Sequence, residues 1–498
     1  MKQSFFLSAG WLAFASIPAI AASCESLASV PLPDVTVTMS AEVAAGAPMP
    51  GGRGGGSGLP AFCRVALTFK PTSDSDVKIE VWLPSAAGWN RKFQAVGNGG
   101  WGGALSYPAM AEALRRGYAT SSTDTGHATG GASFALGHPE KIVDFAWRSE
   151  HEMTVKAKAL IAAYYGDSPR LSYWNGCSGG GRQGLMEAQR FPGDFDGIVA
   201  GAPAINFTGR AIQSVWVAQA VHKEGSALPP DKFSLLHNAV LAACDAQDGV
   251  KDGVLEDPRR CQFDPGVLAC KGDDASSCLT APQVEAARKI YSAAINPRTQ
   301  AAIFPGHKPG SELGWNTMAS PQPFAIGQEH FKYVVFQNPA WDYKTFDFDR
   351  DTALTAKVDG GLINSLNPDL SGYFAHAGKI IQYHGWSDPQ ISPETSVNYY
   401  TSVLEKMGGA AKVQDNYRLF MVPGMAHCGG GEGPNVFDSM TALEQWVEQK
   451  KAPDQIVASR MKDGKAERTR PLCPYPQVAK YNGTGSTDDA TNFSCRVP

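Results

Sequence analysis

Apolar and polar positions alternate with a period of two over residues 77–83 (VKIEVWL), the pattern of a strand buried on one face. Short apolar-biased runs follow at 92–96, 117–122, 171–174, 196–203, 378–385 and 417–422, each read as a further strand. Helices are expected between them. One covers 144–165, one follows the turn 175–181 with Leu185, Met186 and Ala188 on one side, and one covers 437–449. Strands alternating with helices predict an α/β fold built on a doubly wound, mostly parallel sheet.

The alternation stops over 206–374, a segment rich in aromatic residues such as Trp315, Phe324, Phe331, Trp341 and Phe346. An insertion between two core strands reads as a lid domain. Most of its aromatics are expected to form its own core, and a few to line a pocket. Residues 24–75 read as an N-terminal extension, and their GGRGGGSG stretch as a surface loop, because no helix and no Lys-Ser/Thr follows it as a phosphate loop requires. Residues 1–22 have the lysine, apolar core and small-residue end of a signal peptide. The expected layout is therefore leader 1–22, core 23–205, lid 206–374 and core again 375–498.

The chain has 498 residues, 43% hydrophobic and 18% charged, which describes a globular protein. A net charge of −4 without basic runs offers nothing to nucleic acid or to an anionic membrane. No second apolar run is long enough to span a bilayer, so a secreted or periplasmic protein is expected. Ten cysteines fit an oxidising compartment. Cys244/Cys261, Cys270/Cys278 and Cys473/Cys495 are close enough in sequence for local disulfides, and Cys24/Cys63 would close the N-terminal segment. Cys177 and Cys428 are left over. No C-x-x-C spacing occurs, which makes zinc a poor reading of these cysteines.

Candidate chemistry centres on 171–190, LSYWNGCSGGGRQGLMEAQR. Strand, glycine-flanked serine and helix form the setting of a nucleophile elbow, with Ser178 on a strained turn and helix N-terminal amides beside it. As an alternative, the serine merely caps the helix. Upstream, GNGGWGG at 97–103 follows a strand, as an oxyanion-hole loop does; an ordinary glycine loop is the plainer reading. Asp388 and His427 each sit just after a core strand, in the order Ser, Asp, His. Ligand sites of open parallel sheets lie at such strand ends. In that set His427 takes the Ser178 proton and Asp388 orients and stabilises the imidazole. Asp196 is an alternative acid, and His127, His151 or His384 an alternative base. Gln390 and Ile391, just after Asp388, are expected to border the acyl site.

GCSGGGRQGLMEAQRFPGDFDGIVAGAPA, HGWSDPQISP and VPGMAHCGGG resemble the tannase/feruloyl esterase family, over essentially the whole mature chain. The resemblance implies an α/β-hydrolase core with a lid, a Ser178-Asp388-His427 triad, and a disulfide between Cys177 and Cys428. It further implies oxyanion amides from Gly179 and Gly100. A structural calcium is implied on the side chains of Asp245, Asp248 and Asp252 and the carbonyls of Val250 and Val254, where the residues alone read as a solvated acidic turn. No organic cofactor is expected. The expected partner is a small aromatic ester: feruloyl-type, galloyl, or mono(2-hydroxyethyl) terephthalate. A serine peptidase and a non-catalytic binding protein are the readings from other classes.

Overall fold

In the computed structural model, residues 22–50, 58–359 and 361–498 are described. The expected signal peptide, apart from its last residue, and most of the GGRGGGSG stretch lie outside them. Nine strands form the main sheet: β1 (Val35–Val43), β2 (Phe62–Phe69), β3 (Val77–Pro84), β4 (Lys92–Val96), β5 (Ala119–Thr123), β6 (Leu171–Cys177), β7 (Gly197–Gly201), β8 (Lys379–Gly385) and β9 (Tyr417–Val422). Their order is β1-β2-β3-β5-β4-β6-β7-β8-β9. The β1–β2, β2–β3 and β3–β5 pairs are antiparallel, and every pair from β5 to β9 is parallel. This is the expected α/β-hydrolase-type sheet.

Alternate residues of the parallel strands point to opposite faces, and two apolar layers result. Trp174, Ile380 and Leu419 pack with Met153, Leu160, Leu185, Tyr400 and Val403. Their neighbours Tyr173, Ile381 and Phe420 pack on the other face with Ala113, Met440, Leu443 and Trp446. Helices Ser149–Tyr165, Gly179–Arg190 and Glu394–Met407 thus cover one side, and Tyr107–Arg115 and Ser439–Gln449 the other. Burial on both faces explains why β5 and β7 carry no exposed position.

Three elements differ from the expectation. The N-terminal extension is part of the sheet: it supplies β1 and β2, joined to each other and to β3. β1 is an edge strand whose Thr36, Thr38, Met39, Ala41 and Glu42 are exposed and whose valines are only half-buried, so its apolar alternation is faint. The helix expected from Asp144 opens with a π-helical turn, Asp144–Arg148, after a separate short helix Pro139–Val143. The last helix begins at Ser439, because the Asp438 side chain accepts the Thr441 N–H and caps it.

Between Gly201 and Lys379 no strand of the described residues joins the main sheet. Helices Phe207–Val221, Pro230–Cys244 and Ala281–Tyr291 and a two-stranded pair fill the insertion. Its aromatics mainly pack on one another: Phe331, Trp341 and Phe346 in one cluster, Phe233 and Trp315 in a second. All ten cysteines are paired, as Cys24–Cys63, Cys177–Cys428, Cys244–Cys261, Cys270–Cys278 and Cys473–Cys495. No helix among the described residues is long and apolar enough to cross a membrane.

The helix after the serine turn lies against the sheet at glycine distance. A Cβ added at Gly184 would stand 2.6 Å from Trp174 Cδ1 and 3.0 Å from Ile198 Cγ2. Gly184→Ala is expected to destabilise the fold by about 1–3 kcal/mol through overpacking. Urea unfolding checks it; a midpoint equal to that of the unmodified protein would contradict the contact.

Candidate active site

The turn after β6 places Ser178 at φ 62° and ψ −119°, a backbone that a non-glycine residue adopts only under strain. Neighbouring contacts hold it there. The Ser178 N–H donates to the Gly201 carbonyl (2.9 Å), and its own carbonyl accepts from Arg182 N and Ala204 N (3.1 Å each). Glycines make the tight return possible. A Cβ at Gly176 would lie 2.6 Å from the Gly180 carbonyl group, and one at Gly97 would lie 2.5 Å from Gly180 Cα.

The loop 97–103 comes from the end of β4 and rests on this turn. A Cβ on Gly179 would meet the carbonyl oxygens of Asn98 and Gly100 at 3.2 Å and Gly100 N at 3.6 Å, so the two candidate oxyanion amides belong to adjoining backbones. Gly100 has φ +56°. Three polar residues that the sequence did not single out anchor the loop. Asn98 N–H donates to Gln183 Oε1 (2.9 Å), and Asn98 Nδ2 donates to the carbonyls of Ala104 and Thr123 (2.8 Å each). Gln183 Nε2 donates in turn to Asn98 Oδ1 (3.1 Å) and to Glu150. Burial pushes the Glu150 carboxyl up to about 7.

Asp388, fully buried, lies beyond the C-terminal end of β8. Its Oδ2 accepts from His427 Nδ1 (2.7 Å) and faces His384 Nε2 at 3.0 Å. Its Oδ1 accepts the backbone N–H groups of Gln390 (2.7 Å) and Ile391 (3.0 Å). Burial alone would raise this carboxyl, but the charge of His427 and the hydrogen bonds from both histidines outweigh it and hold it well below the ordinary range. His384 also meets Ser396 Oγ through Nδ1 at 2.7 Å, so it bridges β8 and the following helix while touching the same carboxylate as His427.

The other candidates fall elsewhere. Asp196 precedes β7, at the opposite end of the sheet from the elbow, and accepts the Ser172 N–H. His151 pairs with Asp194. His127 stacks on Phe134 and bonds the Trp101 carbonyl through Nε2 (2.7 Å); burial lowers it to about 4. Gln390 and Ile391 serve Asp388 through their backbones. The Ile391 side chain packs with Trp101, Phe207 and Phe304, and Arg210 Nε from the insertion donates to the Gln390 carbonyl (3.2 Å).

Cys177 immediately precedes Ser178, and Cys428 immediately follows His427. Their disulfide, Cα–Cα 6.0 Å, joins the end of β6 to the loop after β9 across 251 residues of chain. That loop is also tied to the insertion. His237 lies 2.9 Å from Glu312 and 2.7 Å from Glu432; burial would lower this histidine, but the two carboxylates push it up to about 9. A hydroxyl on a strained turn, an imidazole held by a buried carboxylate and a pair of glycine amides are the parts acyl transfer needs.

The acidic stretch 245–254 folds into a tight loop with Gly249 and Gly253 at positive φ. Asp245 accepts Asp252 N and Gly253 N; Asp248 accepts Val250 N and Glu256 N; Asp252 accepts Val254 N and Arg470 Nη2. The carbonyls of Val250 and Val254 accept no hydrogen bond among the described residues. Asp248, Asp252, Val254 and Glu256 line a cavity of about 10 Å³, room for one small species. The donors are all oxygen, and among the described residues the ion pairs to these four carboxyl groups are those of Arg468 and Arg470, both with Asp252. This set fits a hard divalent cation.

A family model described as tannase and feruloyl esterase matches residues 63–496. The chain is 39% identical to an uncharacterised esterase of Xanthomonas campestris pv. campestris, over 95% of this chain and 91% of that one. It is 36% identical to "Probable feruloyl esterase B-1" of Aspergillus oryzae, over 87% of this chain and 84% of that one. The crystal structure of feruloyl esterase B from Aspergillus oryzae superimposes with a TM-score of 0.89 at 33% identity, covering 95% of this chain and 99% of that one.

Replacing both Cys177 and Cys428 by alanine is expected to cost about 2–5 kcal/mol of stability. It should also lower kcat/KM for a good ester, because the serine and histidine loops lose their tether. Urea titration and ester kinetics check this; a double variant matching the unmodified protein in both would contradict it.

Proposed function

The chain belongs to the tannase and feruloyl esterase family and is a carboxylic ester hydrolase; from that premise we propose that it is a secreted or periplasmic serine esterase acting on esters of aromatic acids, with hydroxycinnamate (feruloyl-type) esters favoured. The observation that carries the mechanism is the buried Asp388 accepting His427 Nδ1 at 2.7 Å, with His427 next to a cysteine bonded to the residue before Ser178.

His427 Nε2 takes the proton of Ser178 Oγ as that oxygen attacks the ester carbonyl. Asp388 keeps the imidazole in the tautomer that leaves Nε2 free to accept, and stabilises the imidazolium that forms. The negative charge on the carbonyl oxygen is met by the amides of Gly179 and Gly100, at the start of a helix and on the loop packed against it. His427 then returns the proton to the leaving alcohol. Water attacks the acyl-enzyme by the same route in reverse and releases the acid.

The feruloyl preference rests on the similarity to feruloyl esterase B across nearly the whole of both chains. Export is supported by the disulfides, which form in oxidising compartments. Asp245, Asp248 and Asp252, with the carbonyls of Val250 and Val254, hold a structural calcium ion in this reading. Bound there, calcium would supply positive charge to the crowded carboxylates of Asp245, Asp248 and Asp252.

Ser178→Ala is expected to lower kcat/KM by at least about 10⁴-fold without changing the melting temperature by more than a few degrees. Substantial residual turnover would remove Ser178 from the mechanism. Among methyl ferulate, methyl gallate and mono(2-hydroxyethyl) terephthalate, the highest kcat/KM is expected for methyl ferulate; preference for either of the others would reassign the acyl group. Chelation of calcium is expected to lower the melting temperature, and re-addition to restore it. An unchanged melt would contradict the calcium site.

A further inference from the structure

The far end of the helix Gly179–Arg190 carries a carboxyl group that the proposed mechanism does not use. Glu187 is 1% exposed, and neither of its oxygens has a hydrogen-bond partner among the described residues. Asp194, on the turn after that helix, lies beside it. Asp194 Oδ2 is 2.7 Å from Nδ1 of His151, which comes from the helix Ser149–Tyr165. One donor atom from each of the three residues lies within 4.8 Å of the other two. The His151 ring is fixed by stacking on Phe191, with centroids 3.7 Å apart. Lys158 also reaches this corner: its ammonium donates to the Asp194 backbone carbonyl, and its charge acts on both Asp194 and Glu187 without giving either Glu187 oxygen a hydrogen bond.

Two adjacent carboxyl groups, one of them deeply buried, call for a shared proton or a cation between them. Burial, and then the Asp194 charge, push Glu187 well up from the usual carboxylate range, so the pair is unfavourable as two bare anions. An imidazole nitrogen on the same point distinguishes the two occupants. A proton needs only the two carboxyl groups, whereas one nitrogen and two oxygen donors are the ligand set of a borderline metal ion.

We propose that His151, Glu187 and Asp194 form a binding site for a divalent transition metal of the zinc type. Tetrahedral bonds of about 2.0–2.1 Å set ligand atoms about 3.3 Å apart. The present donor separations, 2.7 Å for His151–Asp194 and up to 4.8 Å overall, bracket that value, so rotamer adjustments close the site. Calcium is a poor occupant, since it takes oxygen ligands and not imidazole. Water completes the coordination, because His151 and Asp194 keep partial access to solvent. The bound ion joins the helix Ser149–Tyr165 to the C-terminal end of the helix whose N-terminus follows Ser178.

The test uses the purified protein, stripped with a chelator and returned to excess calcium, so that loss of the calcium loop cannot mimic the result. Zinc titrated by calorimetry is expected to bind at about one ion per chain and to raise the melting temperature by several degrees. Cobalt(II) at the same site should give the visible absorption of a tetrahedral ion. Glu187→Gln and His151→Asn are each expected to weaken zinc binding by at least about tenfold. Should Glu187→Gln fail to fold, the partly exposed His151→Asn gives the same reading. No saturable zinc binding, or binding unchanged in His151→Asn, would overturn the proposal and leave a proton shared by Glu187 and Asp194.

Discussion

The Asp388 carboxylate is the interaction around which the site is arranged. A charge wholly removed from water must have its oxygens satisfied or it will not stay charged. Here His427 and His384 meet one oxygen, and the amides of Gln390 and Ile391 meet the other. These donors fix three parts of the chain: the loop after β9, β8 itself, and the turn leading to the next helix. Arg210 then holds the Gln390 carbonyl from the insertion, so the lid is bonded to the same turn. Moving any of these elements would leave part of a buried anion unpaired.

The serine side obeys a different constraint, close approach of backbone to backbone. Gly97, Gly176 and Gly180 leave no room for a Cβ where β4, β6 and the following helix meet. Asn98, Gln183 and Glu150 fix the glycine loop with side-chain hydrogen bonds, which supply the order that a run of glycines lacks. The Cys177–Cys428 bond then couples this rigid turn to the histidine loop. The proposed mechanism depends on that coupling, since its nucleophile and base come from segments some 250 residues apart.

Further contacts tie the insertion to this framework, beyond the Arg210–Gln390 bond and the chain that enters and leaves it. His237 pairs with Glu432 beside the histidine loop, and Trp101 of the glycine loop bonds the Ile326 carbonyl and stacks on His330. The second contact sets insertion residues against the glycine amides proposed as the oxyanion hole.

Sequence alone determined the features whose causes are local. A period-two run marked β3 and short apolar-biased runs the parallel strands, the glycine-flanked serine marked the elbow, and Asp388 and His427 were visible because each follows a strand. The family resemblance added the Cys177–Cys428 pairing, which spacing alone left open. Tertiary structure decided what depends on distant neighbours. It placed β1 and β2 in the sheet, gave His384 to the Asp388 carboxylate, and enlisted Asn98, Gln183 and Glu150 to hold the glycine loop. It also gathered His151, Glu187 and Asp194 at one corner. In a sequence, a buried polar side chain with partners looks the same as a solvated one, and only packing brings its partners to it.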